Sequence, residues 1–520
     1  MIFHDVMALH ERRPILLLPI TSKHPQNEID TRPLLTLSHV CRYWRDVAIG
    51  APALWTRVHW RNQDQMDAFL ERSSPLAVTV FLDREHVGDN WNGPFPDRME
   101  SAVRALAPRL RRLDLAMPPT WQHVVSLLAW PQAPQLECRT IMSPDAGRHL
   151  RNTLCWTPLL NCEASSLRAL GLLSVVDWLP SSAFPNLTHL VLYFEPDVEE
   201  LRHPFNLLRL LCNTPALEFL HVDFPLYEGP YMGSWQPPPT PIPLPRLRSL
   251  VFTDCDYIVP YAVLPRISLP EDVFIRLQEI INFLPEDGPA APLPPLPIHP
   301  VTHLDIAMHG EELLMIADGP SSGLWFKGEH VLDDFSDPQG WSAWLLDLPE
   351  CLPLAHVTHL HIYVQGCETF WPALLARLPQ VTHLAVLLCE SNLNGVRESP
   401  TTTLCDALSP REAGPVLCPA LDTLAVEWPS EITRKDFLSF PRFLDMLKAR
   451  SRAGHPIRRI VVQAPADPSS GDEIRVEGLS FIELHMLASI WGHPRGTEYE
   501  VVERLNVYEK GLCAFHMREV

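Results

Sequence analysis

The chain has 520 residues, 46% hydrophobic and 20% charged, and its 62 acidic against 42 basic residues leave a net charge of −20. This is globular composition with enough apolar material for a large core, and its acidic excess repels phosphate backbones, so nucleic acid is not an expected partner. The 12 cysteines occur without any C-x-x-C pair and no stretch approaches the ~20 apolar residues of a membrane span, so a reduced cytoplasmic or nuclear protein without membrane contact is expected.

Residues 15–20 form an apolar run that contains Pro19 and is too short for a signal-peptide core. From Leu34 to Ile49 the apolar positions Leu34, Leu37, Val40, Cys41, Trp44, Val47 and Ala48 follow i, i+3, i+4, i+7 spacing, which predicts one amphipathic helix. Asp30 or Thr31 can cap it, Pro33 suits its first turn, and Gly50 and Pro52 end it. Arg42, Arg45 and Asp46 lie off the stripe. The pattern L-x-x-L-S-x-V-C-R-x-W-R-x-x-A, followed by P-x-L-W, resembles the second half of the F-box of the F-box-like proteins abundant in fungi. The resemblance implies an α-helical docking segment over residues 1–60 for a Skp-family adaptor and its cullin complex. It assigns adaptor contact to Leu37, Val40, Cys41, Trp44, Arg45, Leu54 and Trp55. An F-box opens with L-P-x-E on a first helix, which this chain lacks; Met1–Asp5 matches at most the tail of that helix.

A helix near Gln65–Arg72 and the strand-like LAVTVFLD follow, and then one pattern organises the chain. Apolar-x-x-apolar-x-apolar begins at Leu110, Leu167, Leu187, Leu217, Leu247, Val301, Val357, Val381, Leu421 and Ile457. Intervals between copies run 57, 20, 30, 30, 54, 56, 24, 40 and 36 residues. Leucine-rich repeats have periods of about 20–29 residues, so intervals near 55 predict a degenerate copy between two clear ones. Alternation sends two apolar side chains of each copy inward and their neighbours outward. Helical segments at 205–212, 371–378 and 440–450, the last stopped by Gly454, precede copies. A fold of many short elements also tolerates 54 prolines. The expectation is an α/β protein: an irregular leucine-rich-repeat solenoid with parallel strands and helical return segments over 61–465, capped by 466–520.

Within the repeats, His189, His221, His303, His359, His361 and His383 fall at outward positions on the concave face, where a target protein would bind. Two histidines at x and x+2 can bind zinc, but no acidic or cysteine ligand recurs beside them, so no metal or other cofactor is expected. The Pro-rich runs 236–245 and 289–300 read as rigid connectors before repeat strands, with PxxP recognition as the alternative. Residues 309–350, with Trp325, Trp341 and Trp344, form an insertion that is either a binding loop or a packed one. G-x-S-x-G, P-loop, dinucleotide and H-E-x-x-H signatures are missing, so no enzyme is expected. The resemblance implies the substrate-recognition subunit of an SCF-type ubiquitin ligase; the alternative is a non-catalytic interaction scaffold that no longer binds the adaptor.

Overall fold

A computed structural model describes residues 32–59, 63–83, 103–116, 133–142, 166–173, 182–193, 204–223, 238–281, 293–309, 312–329, 339–364, 371–387, 400–410, 414–427, 441–463 and 498–502. The chain is α/β, with mostly parallel strands, and divides into two compact units, Met1–Pro270 and Glu271–Glu519. The division falls inside the range 61–465 expected of one solenoid. Of the expected C-terminal cap, only 498–502 lies among the described residues, and of the N-terminal segment residues 1–31 lie outside them.

In the first unit, α1 (Arg32–Val40) and α2 (Arg42–Ile49) lead through a 3-10 turn (Pro52–Trp55) into β1 (Arg57–His59). Then come α3 (Gln63–Ser73), β2 (Val78–Asp83), β3 (Leu110–Ala116), β4 (Cys138–Met142), β5 (Ala169–Leu173) and β6 (His189–Tyr193). α4 (Pro204–Leu211), β7 (Phe219–Asp223), β8 (Ile242–Pro243), β9 (Ser249–Asp256), α5 (Ile258–Val263) and β10 (Ile267–Ser268) complete it. The sheet runs β1-β2-β3-β4-β5-β6-β7-β9, every neighbouring pair parallel, while β8 and β10 pair only with each other. Its register aligns Val80, Leu113, Arg139, Leu170, Leu190, Leu220 and Leu250 in one row. A second row holds Leu82, Leu115, Ile141, Leu172, Leu192, Val222 and Phe252. Both rows are buried, as period-two alternation requires of one sheet face. β4 is the degenerate copy in the 57-residue interval: Leu136-x-x-Arg139-x-Ile141 keeps the frame but puts arginine where its neighbours put leucine.

The second unit contains β11 (Phe274–Ile281), β12 (His303–His309), β13 (Glu312–Asp318), β14 (Gly323–Glu329) and α6 (Gln339–Cys351). β15 (His359–Val364), α7 (Trp371–Ala376), β16 (His383–Leu387), α8 (Pro400–Leu408), β17 (Thr423–Glu427), α9 (Pro441–Arg452), β18 (Arg459–Gln463) and β19 (Glu498–Val502) follow. From β12 the order β12-β15-β16-β17-β18-β19 is parallel and aligns Leu304, Leu360, Leu384, Leu424, Ile460 and Tyr499. The helices α6, α7, α8 and α9 pack against one another in sequence order. Arg450 of α9 is buried and clamps this layer, donating to the carbonyls of Leu408, Leu417 and Cys418 at 3.1, 2.9 and 2.8 Å. Gly454, at φ +83, stops α9 in the left-handed conformation that glycine adopts without a Cβ clash.

The 56-residue interval before β15 holds no degenerate copy. β12 pairs directly with β15, and the intervening chain folds back as the antiparallel hairpin β13–β14, which returns β14 parallel to β11. Gly323 is required there, because a Cβ would meet the Asp318 carboxylate at 2.7 Å and the Ala317 carbonyl at 2.9 Å. That carboxylate accepts from Trp325 Nε1 at 2.9 Å, and Arg276 lies 4.4 Å from the centre of the Trp325 ring. Trp344 is buried and stacks on Phe326 at 5.0 Å, so both described tryptophans of the insertion are packing anchors. The connector 293–300 is likewise packed: Leu296 N–H donates to the Cys351 carbonyl at 3.0 Å, and Leu293, Leu296 and Ile298 are buried. Among the described residues no helix is long and apolar enough to cross a membrane.

Candidate functional site

The N-terminal helical segment is broken where the sequence predicts one helix. Cys41 is extended (φ −158, ψ 170), ends α1 and starts α2, its sulfur accepting from Trp44 N–H at 3.5 Å. One turn earlier the Ser38 hydroxyl donates back to the Leu35 carbonyl at 2.7 Å, a bond that competes with the helix ladder and favours bending. Arg45 Nε closes the joint by donating to the Ser38 carbonyl at 3.0 Å, which sets the angle between the two helices.

The break resets the phase of the apolar stripe. Leu34 and Ala48 are buried, Leu37, Trp44 and Leu54 are half-buried, and Cys41 and Arg45 are exposed. Val40, Tyr43, Val47 and Ile49 are 58, 74, 37 and 42% exposed, four of the seven large apolar side chains exposed among the described residues. All four lie on α1 and α2, within ten residues of one another. Tyr43 and Ile49 were not legible as site residues, because a continuous helix phase points them elsewhere. Trp55 presents no surface at all. It is fully buried, donates Nε1–H to the Ala48 carbonyl at 2.7 Å, meets Phe69 edge-on at 4.9 Å and lies under the Arg72 guanidinium at 4.4 Å. Its part is to hold α2 against α3.

The histidines divide by unit. In the second, His303, His359 and His383 stand in register on β12, β15 and β16. Their rings stack at 4.4 Å with interplanar angles of 10°. Each Nδ1 meets the hydroxyl of the preceding threonine, Thr302, Thr358 or Thr382, at 2.9–3.0 Å. The hydroxyls of Thr358 and Thr382 donate to the Thr302 and Thr358 carbonyls at 3.2 and 3.1 Å. A hydroxyl has one proton to give, so it must accept from the imidazole, which fixes the Nδ1–H tautomer and leaves Nε2 as the acceptor. His361 lies beside the column, its Nδ1 2.8 Å from Asp305 Oδ1. Burial, then the neighbouring His303, His383 and His361, lower the His359 pKa, against a raising effect of Asp305. Parallel rings aim their lone pairs side by side instead of at one point, and among the described residues no cluster of three His, Cys, Asp or Glu can hold a metal ion.

In the first unit, His189 stacks on Phe219 at 4.5 Å and His221 Nε2 lies 3.0 Å from Thr253 Oγ1. The buried thiols of Cys138, Cys405 and Cys418 are each pushed up to about 12, chiefly by burial, so they act as small core hydrophobes and not as nucleophiles.

A further feature of the first unit was not anticipated. The turns leading into β3 to β9 enclose a groove of about 710 Å3, lined by Arg111, Glu137, Arg168, Asn186, Thr188 and Arg246 among others. Arg111 pairs with Glu137 at 2.9 Å, whereas Arg168 and Arg246 are exposed and make no ion pair among the described residues. These arginines are far apart in sequence and line one groove because they lie at or before the starts of strands of the same sheet.

Comparison with protein-family models finds no match, and comparison with curated proteins finds none.

Proposed function

We propose that the chain is the substrate receptor of an SCF-type ubiquitin ligase: an F-box-like segment docks a Skp-family adaptor, and a leucine-rich-repeat surface holds a target protein. The observation that carries this reading is the exposed apolar cluster of Val40, Tyr43, Val47 and Ile49 on the segment whose residues resemble an F-box. An amphipathic cap serving only to close the repeats would bury that face instead. The ten apolar copies and the parallel register of their strands support the repeat assignment. The histidine column and the His361–Asp305 pair lie on the face opposite the buried leucines, where a target would be read. The chain's contribution is proximity: it brings a lysine of the target to a charged ubiquitin carrier held by partner subunits.

Co-purification with a Skp-family adaptor tests this. Val40→Asp with Tyr43→Asp changes two exposed side chains and leaves Trp44 and Trp55 in place. Capture by the parent chain and its loss in the variant support the receptor reading. No capture by the parent leaves an interaction scaffold that has lost the adaptor.

A further inference from the structure

We infer that the arginine groove of the first unit binds an extended acidic peptide segment, independently of the ligase reading. Three arginines converge on one groove in a chain whose net charge is −20, so the positive patch is local and contrary to the field of the whole molecule. One of the three is satisfied by Glu137; Arg168 and Arg246 are left to meet a ligand. A guanidinium is the fork that carboxylates fit best.

The equivalent positions of the second unit show that the repeat does not demand this chemistry. The residue before β12, β15, β16, β17 and β18 is Thr302, Thr358, Thr382, Asp422 and Arg458 in turn; the threonines donate to backbone carbonyls of the neighbouring strand, as Thr188 does in the first unit, and Arg458 pairs with Asp422 at 3.6 Å. In the first unit the same position is Arg111, Glu137, Arg168, Thr188, Glu218 or Arg248, and Arg246 lines the groove from the turn before β9.

The spacing selects the form of the ligand. Arg168 precedes β5 and Arg246 precedes β9, three strand steps away along β5-β6-β7-β9. At ~4.8 Å per step that is about 14 Å, too far for one phosphate or carboxylate to bridge. An extended peptide rises ~3.4 Å per residue, so two acidic side chains about four residues apart reach both arginines.

The test is fluorescence anisotropy of the whole chain with a labelled Gly/Ser peptide carrying two glutamates about four residues apart. Comparison peptides carry the glutamates adjacent, or glutamines in their place. The expected result is salt-sensitive binding of the spaced peptide, weaker for the adjacent pair, and absent with glutamine. Arg168→Gln with Arg246→Gln, both at exposed positions, should cost at least about tenfold in affinity with the melting temperature unchanged. The charge-reversed Arg168→Glu, Arg246→Glu variant should instead take the lysine counterpart of the peptide. Binding of the spaced peptide that survives the glutamine variant, equal binding of the glutamine peptide, or no binding by the parent chain would overturn the proposal. Competition by inorganic phosphate as strong as by the spaced peptide would overturn it too, as it would mark a point-anion site.

Discussion

Arg139 lies in register beside Leu113 on one side and Leu170 on the other, a buried guanidinium in a row of leucines. Burial lowers its pKa to about 10, below the ordinary arginine value, so the unfolded chain holds the proton more tightly than the folded one. The charge therefore costs stability at all pH values below about 10, and the cost is relieved as pH rises from there towards the ordinary arginine value. Arg139→Leu restores the row and is expected to raise stability by roughly 1–3 kcal/mol, read as a higher urea midpoint. A lower midpoint would mean that the guanidinium's bonds outweigh its desolvation.

Arg450 is the opposite case, because its buried guanidinium donates to three carbonyls, those of Leu408, Leu417 and Cys418. Arg450→Met should destabilise the second unit by about 3–5 kcal/mol. Lysine cannot reproduce the fork, so Arg450→Lys should recover less than half of that loss in the same urea titration.

The histidine column makes a pH prediction. With its folded-state pKa lowered below 6.5, His359 stays neutral where the unfolded chain begins to take up a proton. Its contribution is absent above that pH, and stability falls as pH drops through 6.5 towards the folded value, after which the loss levels off. NMR titration should place the His359 midpoint below the ordinary histidine value. His303→Ala should move it upward by removing one charged neighbour, and an unchanged midpoint would show that the stack is not electrostatically coupled.

Trp55 separates contact from scaffolding. Trp55→Phe loses the bond to the Ala48 carbonyl and should cost about 1–2 kcal/mol, while Trp55→Ala empties a buried site and should cost about 3–5 kcal/mol. Both should weaken adaptor binding only as far as α2 detaches, so circular dichroism and binding should fall together. Binding lost with the helices intact would place Trp55 in the interface instead.

How much of this was legible in the sequence follows from distance along the chain. Each of the ten apolar copies is a strand, because two inward side chains separated by one outward residue encode both the extended backbone and its buried face. The interrupted copy at Arg139 was legible only as an interval of the wrong length, since arginine breaks the apolar pattern without breaking the backbone register. The hairpin β13–β14 was not, because an antiparallel insertion leaves an interval of the same size as a missing copy. The joint at Cys41 escaped because cysteine is a weak cap and the apolar period runs through it unbroken. The arginine groove could not be read at all: Arg111, Arg168 and Arg246 are scattered in sequence and line one groove only once the strands align.

Docking of a Skp-family adaptor on the α1–α2 surface is tested by calorimetric titration of the folded chain with the purified adaptor. The proposed docking predicts saturable binding at one adaptor per chain, with the negative heat-capacity change of apolar burial. It also predicts a loss of at least about a hundredfold in affinity in the Val40→Asp, Tyr43→Asp variant, whose melting temperature stays that of the parent. Parent and variant binding with equal affinity, or neither binding at all, would contradict it.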